Sequence, residues 1–367
     1  MASTDWFTAA RFGMFVHFGI YSGAARHEWV QTNERLTDEN YRQYFENFDP
    51  DLFDAAAIAR TAKQAGMQYA VLTTQHHDGF ALWNTALSDF SAQVACGRDL
   101  VGEFVAALRA EGLRVGLYFS LIDWHHPDFT VDWNHPRRDD VNAAALNEGR
   151  DMARYREFMH GQLRELLTGY GQIDYLFFDF TYPETKQGWV GKSSEDWDAA
   201  GLLAMCRELQ PGVLINDRLG IPGDFVTPEQ YQPTEPVLND GVPVIWEACQ
   251  TTNGSWGYHR DNDDHKAPDL LIRMLADSVS MNGNMLLNIG PNGRGAVDPR
   301  DARLLGEVGE WMRLHERAIV AAGHAPFVPP REGVYTLRGN KLYLHLFSWP
   351  ISRASQPTRA CFTTARG

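Results

Sequence analysis

Apolar and polar positions in this chain fall into two alternating textures. Seven short, nearly unbroken apolar runs occupy residues 13–19 (GMFVHFG), 69–77 (YAVLTTQHH), 115–121 (VGLYFSL), 173–180 (IDYLFFDF), 213–218 (VLINDR), 244–249 (VIWEAC) and 285–291 (MLLNIGP). Runs of this kind, without polar alternation, are what strands buried on both faces look like, and such strands belong to parallel sheets. Between them lie stretches with helical period at 51–66, 99–112, 145–170, 196–209, 268–281 and 299–317. In the second of these, Leu100, Val101, Phe104, Val105 and Leu108 share one face and Gly112 supplies a stop. Strand and helix therefore alternate, which predicts an α/β fold with a parallel sheet inside and helices outside.

The polar residues within these runs narrow the architecture. The first carries His17, the second ends in His76 and His77, the third runs into Asp123 and Trp124, and the fourth ends near Asp179. The fifth ends in Asp217 and Arg218, the sixth carries Glu247, and the seventh carries Asn288. Chemistry-bearing side chains gathered at the ends of successive buried strands are the pattern of a (β/α)8-like (TIM) barrel, whose active site sits on its C-terminal face. An open doubly wound sheet is the rival, but no GxGxxG follows the first run. The barrel is expected over residues 1–330. After it, residues 331–367 read as a hairpin turning at Gly339-Asn340, followed by a polar tail from Ile351 without period.

Charge and composition exclude several classes. The formal net charge of −14 over 367 residues argues against nucleic acid as a partner. No apolar run approaches the roughly eighteen residues of a membrane-spanning helix. The four cysteines are scattered and form no metal framework. The first residues lack a basic segment followed by an apolar one, so the chain is expected in the cytoplasm, or outside the cell with a signal already removed. Eleven tryptophans suit both a large barrel core and the stacking of a ring-shaped substrate.

Asp179 is the leading catalytic candidate, because the apolar run Leu176–Phe178 would hold its carboxylate at the barrel mouth. A second carboxylate would complete general acid/base or double-displacement chemistry, and both Glu229 and Glu247 qualify. The adjacent His76 and His77 can both reach a pocket only where their strand ends, since neighbouring strand residues point to opposite faces. A metal site built on His17, His76 and Asp179 is the weaker reading, as no HExxH or comparable spacing occurs. No GxSxG is present, and GPNGRG at 290–295 lacks the ending of a phosphate loop.

Taken in order, RFGMFVHFGIYS, HEWV, YAVLTTQHHDGFALWNT, RDLVGEFVAALRAEGLRVGLYFSLIDWHHPDF, QIDYLFFDF, WEACQTTNGSWGYHR and NGNMLLNIGPNGRGAVDP resemble the α-L-fucosidases of glycoside hydrolase family 29 over roughly residues 11–300. The resemblance implies a (β/α)8-like barrel that hydrolyses terminal α-L-fucose with retention, using no metal and no cofactor, on fucosylated oligosaccharides or glycosides. It implies Asp179 as nucleophile, although the family's W-F-D-G-like motif reads F-F-D-F here. The stretch GDFVTPE resembles the loop that carries the acid/base in one subgroup, which points to Glu229, with Glu247 of the Trp-Glu motif as runner-up. It further implies His17, Glu28, Trp29, His76, His77, Tyr118, Arg218, Glu247 and Trp256 as substrate-binding residues, with Phe119 the alternative to Tyr118 at a Tyr-Tyr-Ser motif.

Two other readings remain at this level: a catalytically silent sugar-binding barrel, and α-L-galactosidase-like specificity, which differs by one hydroxyl. Family members carry a C-terminal β-sandwich, so residues 331–367 are expected to form an incomplete β segment with an exposed apolar face, which self-association into a homo-oligomer would cover.

Overall fold

The computed structural model describes residues 3–349 apart from 236. The polar tail from Ile351 therefore lies outside the described residues. In chain order the strands are β1 (Phe12–Val16), β2 (Tyr69–Gln75), β3 (Arg114–Ser120), β4 (Tyr175–Asp179), β5 (Tyr182–Lys186), β6 (Trp189–Lys192) and β7 (Leu214–Ile215). They continue with β8 (Leu238–Asn239), β9 (Val242–Pro243), β10 (Glu247–Thr251), β11 (Asn284–Ile289), β12 (Gly323–His324), β13 (Gly333–Arg338) and β14 (Lys341–Leu346).

Seven of them form one sheet in the order β10-β11-β1-β2-β3-β4-β7, and every pairing in it is parallel. The gap between β7 and β10 is bridged by residues 225–229. Parallel bridges join Asn216 to Phe225, Val226 to Trp246 and Glu229 to Cys249, and the Cys249 N–H donates to the Pro228 carbonyl at 3.0 Å. This irregular eighth segment closes the ring into a (β/α)8-like barrel. The predicted helices appear as Ala55–Gln64, Leu100–Ala110, Met152–Gly169, Ala199–Leu209, Pro268–Ser280 and Pro299–His315.

Strand periodicity divides the residues between two cores. Met14, Val16, Ala70, Leu72, Leu117, Leu176 and Phe178 face the helices. Phe15, Tyr69, Val71, Tyr118, Tyr175, Phe177, Leu214, Phe225, Cys249 and Leu286 fill the barrel. The short helix Asp5–Ala10 plugs the lower end with Phe7, whose carbonyl accepts from Asn284 at 2.9 Å. Gly13 makes one of the inner layers feasible: a Cβ there would lie 2.4 Å from the Tyr69 ring.

Beyond the barrel, β12, β13 and β14 form an antiparallel sheet. It is tied to the barrel by the Thr336 hydroxyl donating to the Ala318 carbonyl at 2.7 Å. Leu342, Leu344 and Leu346 alternate along β14 and stand exposed in a single chain.

Candidate active site

The two-residue period carries three barrel strands from core into site. On β1 the inward row is Gly13, Phe15, His17; on β3 it is Gly116 and Tyr118; on β4 it is Tyr175, Phe177, Asp179. On each strand the residue nearest the C-terminal mouth is polar, because there the side chain leaves the packed layers and meets open space. A cavity of about 120 Å³ lies over them, lined by His17, Trp29, His76, His77, Tyr118, Asp179, Arg218, Glu229 and Trp256 among others. Strand β2 ends at Gln75 after a register shift, and both following histidines line the cavity.

Asp179 is held from two sides. Its Oδ2 accepts from the Tyr118 hydroxyl at 2.9 Å and its Oδ1 from Arg218 Nη1 at 2.7 Å. The same Nη1 lies 2.8 Å from Glu229 Oε2. Sharing one nitrogen holds those two oxygens near each other, a spacing compatible with the close carboxyl pair of a retaining glycosidase, about 5–5.5 Å. Arg218 is itself fixed by Nε donating to Thr227 Oγ1 at 2.8 Å. Burial works against its charge, but Asp179 and Glu229 outweigh burial and the net pKa shift is upward. The two carboxylates differ in access: the side chain of Asp179 is 12% exposed and that of Glu229 is 44% exposed. The first suits a group that attacks inside the pocket, and the second suits one that meets a leaving group and then water.

The imidazoles are poised as neutral acceptors. Asn288 donates Nδ2 to the Trp256 carbonyl at 2.7 Å, so its Oδ1 faces His17 Nδ1 at 2.6 Å. That network assigns the proton to Nδ1 and leaves Nε2 as an acceptor. Burial pulls the His17 pKa down to about 3, so the ring stays neutral. The Ser120 hydroxyl donates to the Ile122 carbonyl at 2.7 Å and so accepts from His77 Nδ1 at 2.8 Å, which leaves His77 in the same tautomer. Burial lowers the His77 pKa as well. His76 stacks parallel to Tyr118, with ring centroids 5.5 Å apart.

Glu28 stands behind the cavity rather than lining it. Its carboxylate accepts the Gly257 N–H at 2.6 Å, next to Trp256, and burial raises its pKa to about 7. Tyr118 rather than Phe119 faces the site, because Phe119 points to the helices.

Glu247 is a correction. The sequence placed it within a strand at 244–249, as a substrate-binding residue and the runner-up acid/base, but β10 begins at Glu247. The shift puts the carboxylate at the opposite end of the barrel, fully buried, with the Tyr175 hydroxyl donating to it at 2.6 Å and the Tyr69 hydroxyl donating to its other oxygen. It does not line the cavity; Cys249, two residues on, does. Burial raises the Glu247 pKa from 4.5 to about 7 despite both tyrosines. The folded chain then holds a proton that the unfolded chain has released, so this contribution to stability is full below about pH 4.5 and is lost as pH rises to about 7. Glu247→Gln is expected to gain thermal stability relative to wild type across that window, as read from melting temperatures of both proteins at a series of pH values.

Sequence reasoning missed Phe180. It follows Asp179 with a φ of 78°, a left-handed conformation that glycine adopts most easily. Its ring centroid lies 5.1 Å from that of Trp29 and 4.4 Å from that of His77, and it walls the cavity. The departure from a W-F-D-G-like motif at this position was the available signal.

A family model described as alpha-L-fucosidase matches residues 1–317. The chain belongs to the α-L-fucosidase family. Alpha-L-fucosidase isoenzyme 1 from Paenibacillus thiaminolyticus is 48% identical, with a TM-score of 0.89 over 95% of this chain and 84% of that one. A glycoside hydrolase family 29 α-L-fucosidase from Bacteroides thetaiotaomicron, solved as a trapped covalent intermediate with 2-fluoro-fucosyl fluoride, is 30% identical. Its TM-score is 0.81 over 94% of this chain and 82% of that one. The tissue alpha-L-fucosidase of Bos taurus is 30% identical over 94% of this chain and 75% of its own length.

Tyr118→Phe tests how the Asp179 carboxylate is held. A hydrogen bond to a charged group contributes about 1.5–3 kcal/mol, so kcat/KM on an aryl α-L-fucoside is expected to fall roughly tenfold to a hundredfold, with most of the loss in kcat.

Proposed function

We propose that Asp179 and Glu229 carry retaining hydrolysis of terminal α-L-fucosides from fucosylated oligosaccharides or glycosides. The observation that carries this assignment is the Arg218 Nη1 bridge, which fixes the two carboxylates close together at the barrel mouth.

Asp179 attacks the anomeric carbon from the face opposite the leaving group. The C–O bond to the aglycone breaks, and Glu229 gives its proton to the departing oxygen. The resulting β-linked fucosyl ester on Asp179 is then attacked by water, Glu229 takes the water's proton, and Asp179 leaves as carboxylate, so α-fucose is released. A covalent intermediate in the Bacteroides thetaiotaomicron relative supports the two-step route. His17 and His77 accept hydrogen bonds from sugar hydroxyls through Nε2, while Trp29 and Trp256 present faces to the apolar side and methyl group of fucose.

The reading is tested by following an aryl α-L-fucoside with proton NMR, with a chelator present. The first-formed sugar is expected to be the α anomer, at a rate the chelator leaves unchanged. First release of the β anomer, or no hydrolysis by folded protein, would overturn it.

A further inference from the structure

One carboxylate at the barrel mouth has no part in this chemistry. Asp217 lies two residues beyond the end of β7 and precedes Arg218, yet it lines a second cleft rather than the fucose cavity. That cleft has a volume of about 650 Å³, against about 120 Å³ for the fucose cavity. Asp179, Phe180, Arg218 and Glu229 line both, so the two are continuous on the side where Glu229 delivers its proton. Glu229 stands on the boundary between the two, so a leaving group on its side of the fucose cavity has this cleft open to it.

Most polar groups in its walls are already committed. Thr181 Oγ1 donates to the Arg218 carbonyl at 2.7 Å, Ser193 Oγ donates to Asp196 Oδ2 at 3.0 Å, and Thr227 Oγ1 donates to Asp217 Oδ1 at 3.1 Å. Among the described residues, Asp217 Oδ2 and Ser194 Oγ have no protein partner. Asp217 also makes no ion pair within 4 Å among them. The cleft thus offers a strong acceptor and a hydroxyl, and its three carboxylates face a single guanidinium.

We infer that this cleft is the subsite for the sugar that carries the fucose, that Asp217 anchors it by accepting its hydroxyls, and that the site takes neutral sugars and rejects acidic ones. The inference rests on the fucosidase reading and adds to it the chemistry of the leaving group. An ionised acceptor suits hydroxyl donors, because a charge-assisted hydrogen bond is about twice as strong as a neutral one. A uronate or sulfate in the same cleft meets like charge.

The experiment compares three substrates: an aryl α-L-fucoside, a fucosyl-glucose disaccharide and the matching fucosyl-glucuronic acid. Each is measured with wild type, Asp217→Asn, Asp217→Ala and Ser194→Ala. Wild type is expected to favour the neutral disaccharide over the acidic one about tenfold or more. In Asp217→Ala the kcat/KM ratio of neutral disaccharide to aryl fucoside is expected to drop about tenfold to a hundredfold, and Ser194→Ala is expected to lower it by less. In Asp217→Asn, which keeps the shape and removes the charge, discrimination against the acidic disaccharide narrows. Equal turnover of the neutral and acidic disaccharides by wild type overturns the inference. So does an Asp217→Ala loss of the same size on the aryl fucoside and the neutral disaccharide, which would mean that Asp217 acts through Thr227 and Arg218. Failure of the underlying fucosidase reading shows separately, as wild type releasing no fucose from any of the three.

Discussion

Asp179→Ala is expected to hydrolyse an aryl α-L-fucoside about four orders of magnitude more slowly than wild type, or worse, while folding normally. The size follows from what the residue does: it forms the bond that splits one difficult displacement into two easier ones, and a nucleophile's removal leaves only the binding and polarising groups around it. No neighbour can substitute. Tyr118 and Arg218 are donors to Asp179, and Glu229 lies on the far side of Arg218 Nη1. Folding should survive because the Asp179 side chain sits at the edge of a cavity, although Arg218 then keeps Glu229 as its sole carboxylate partner. Azide added to this variant would enter the vacated space and attack directly. One inversion gives β-fucosyl azide, and that product, identified by NMR, marks Asp179 as the nucleophile. Recovery of α-fucosyl azide would assign the nucleophile elsewhere.

Glu229→Ala is expected to lose about 10²–10⁴ in kcat/KM on a fucosyl disaccharide, the usual range for removing a general acid. With an aryl fucoside whose phenol needs no protonation, the first step should be nearly spared and the second slowed, so KM falls along with kcat. Azide needs no general base. It should therefore restore turnover and, after two inversions, yield α-fucosyl azide. The two variants thus give azides of opposite configuration from one substrate. Equal losses on the disaccharide and the activated fucoside, with no azide product, would remove Glu229 from the reaction.

The sequence made some of this legible and hid the rest for identifiable reasons. The parallel core was readable because strands buried on both faces leave unbroken apolar runs, and 173–180 led directly to Asp179. The segment at 225–229 was not readable as part of the barrel. It carries Pro228, has no apolar period, and is joined to its neighbours by isolated bridges rather than a ladder. Glu229 therefore looked like a residue on a free loop, although a bridge to Cys249 places it at the rim. Glu247 was misplaced by a difference of about three residues in where its strand begins. In a barrel that difference exchanges the catalytic end for the structural one. Phe180 was hidden because an aromatic residue at positive φ runs against local preference. The hairpin β5–β6 and the helix Asp38–Glu46 lay inside long polar connections whose period was too short to register.

The proposed mechanism requires a covalent fucosyl ester on Asp179. The most direct measurement is mass spectrometry of the wild-type protein after incubation with 2-fluoro-fucosyl fluoride, which slows hydrolysis of the ester more than its formation. One fluorofucosyl adduct per chain is expected, mapped by peptide digestion to Asp179 and absent from Asp179→Ala. An adduct on any other residue, or a protein that turns over aryl fucoside but never accumulates an adduct, would contradict it.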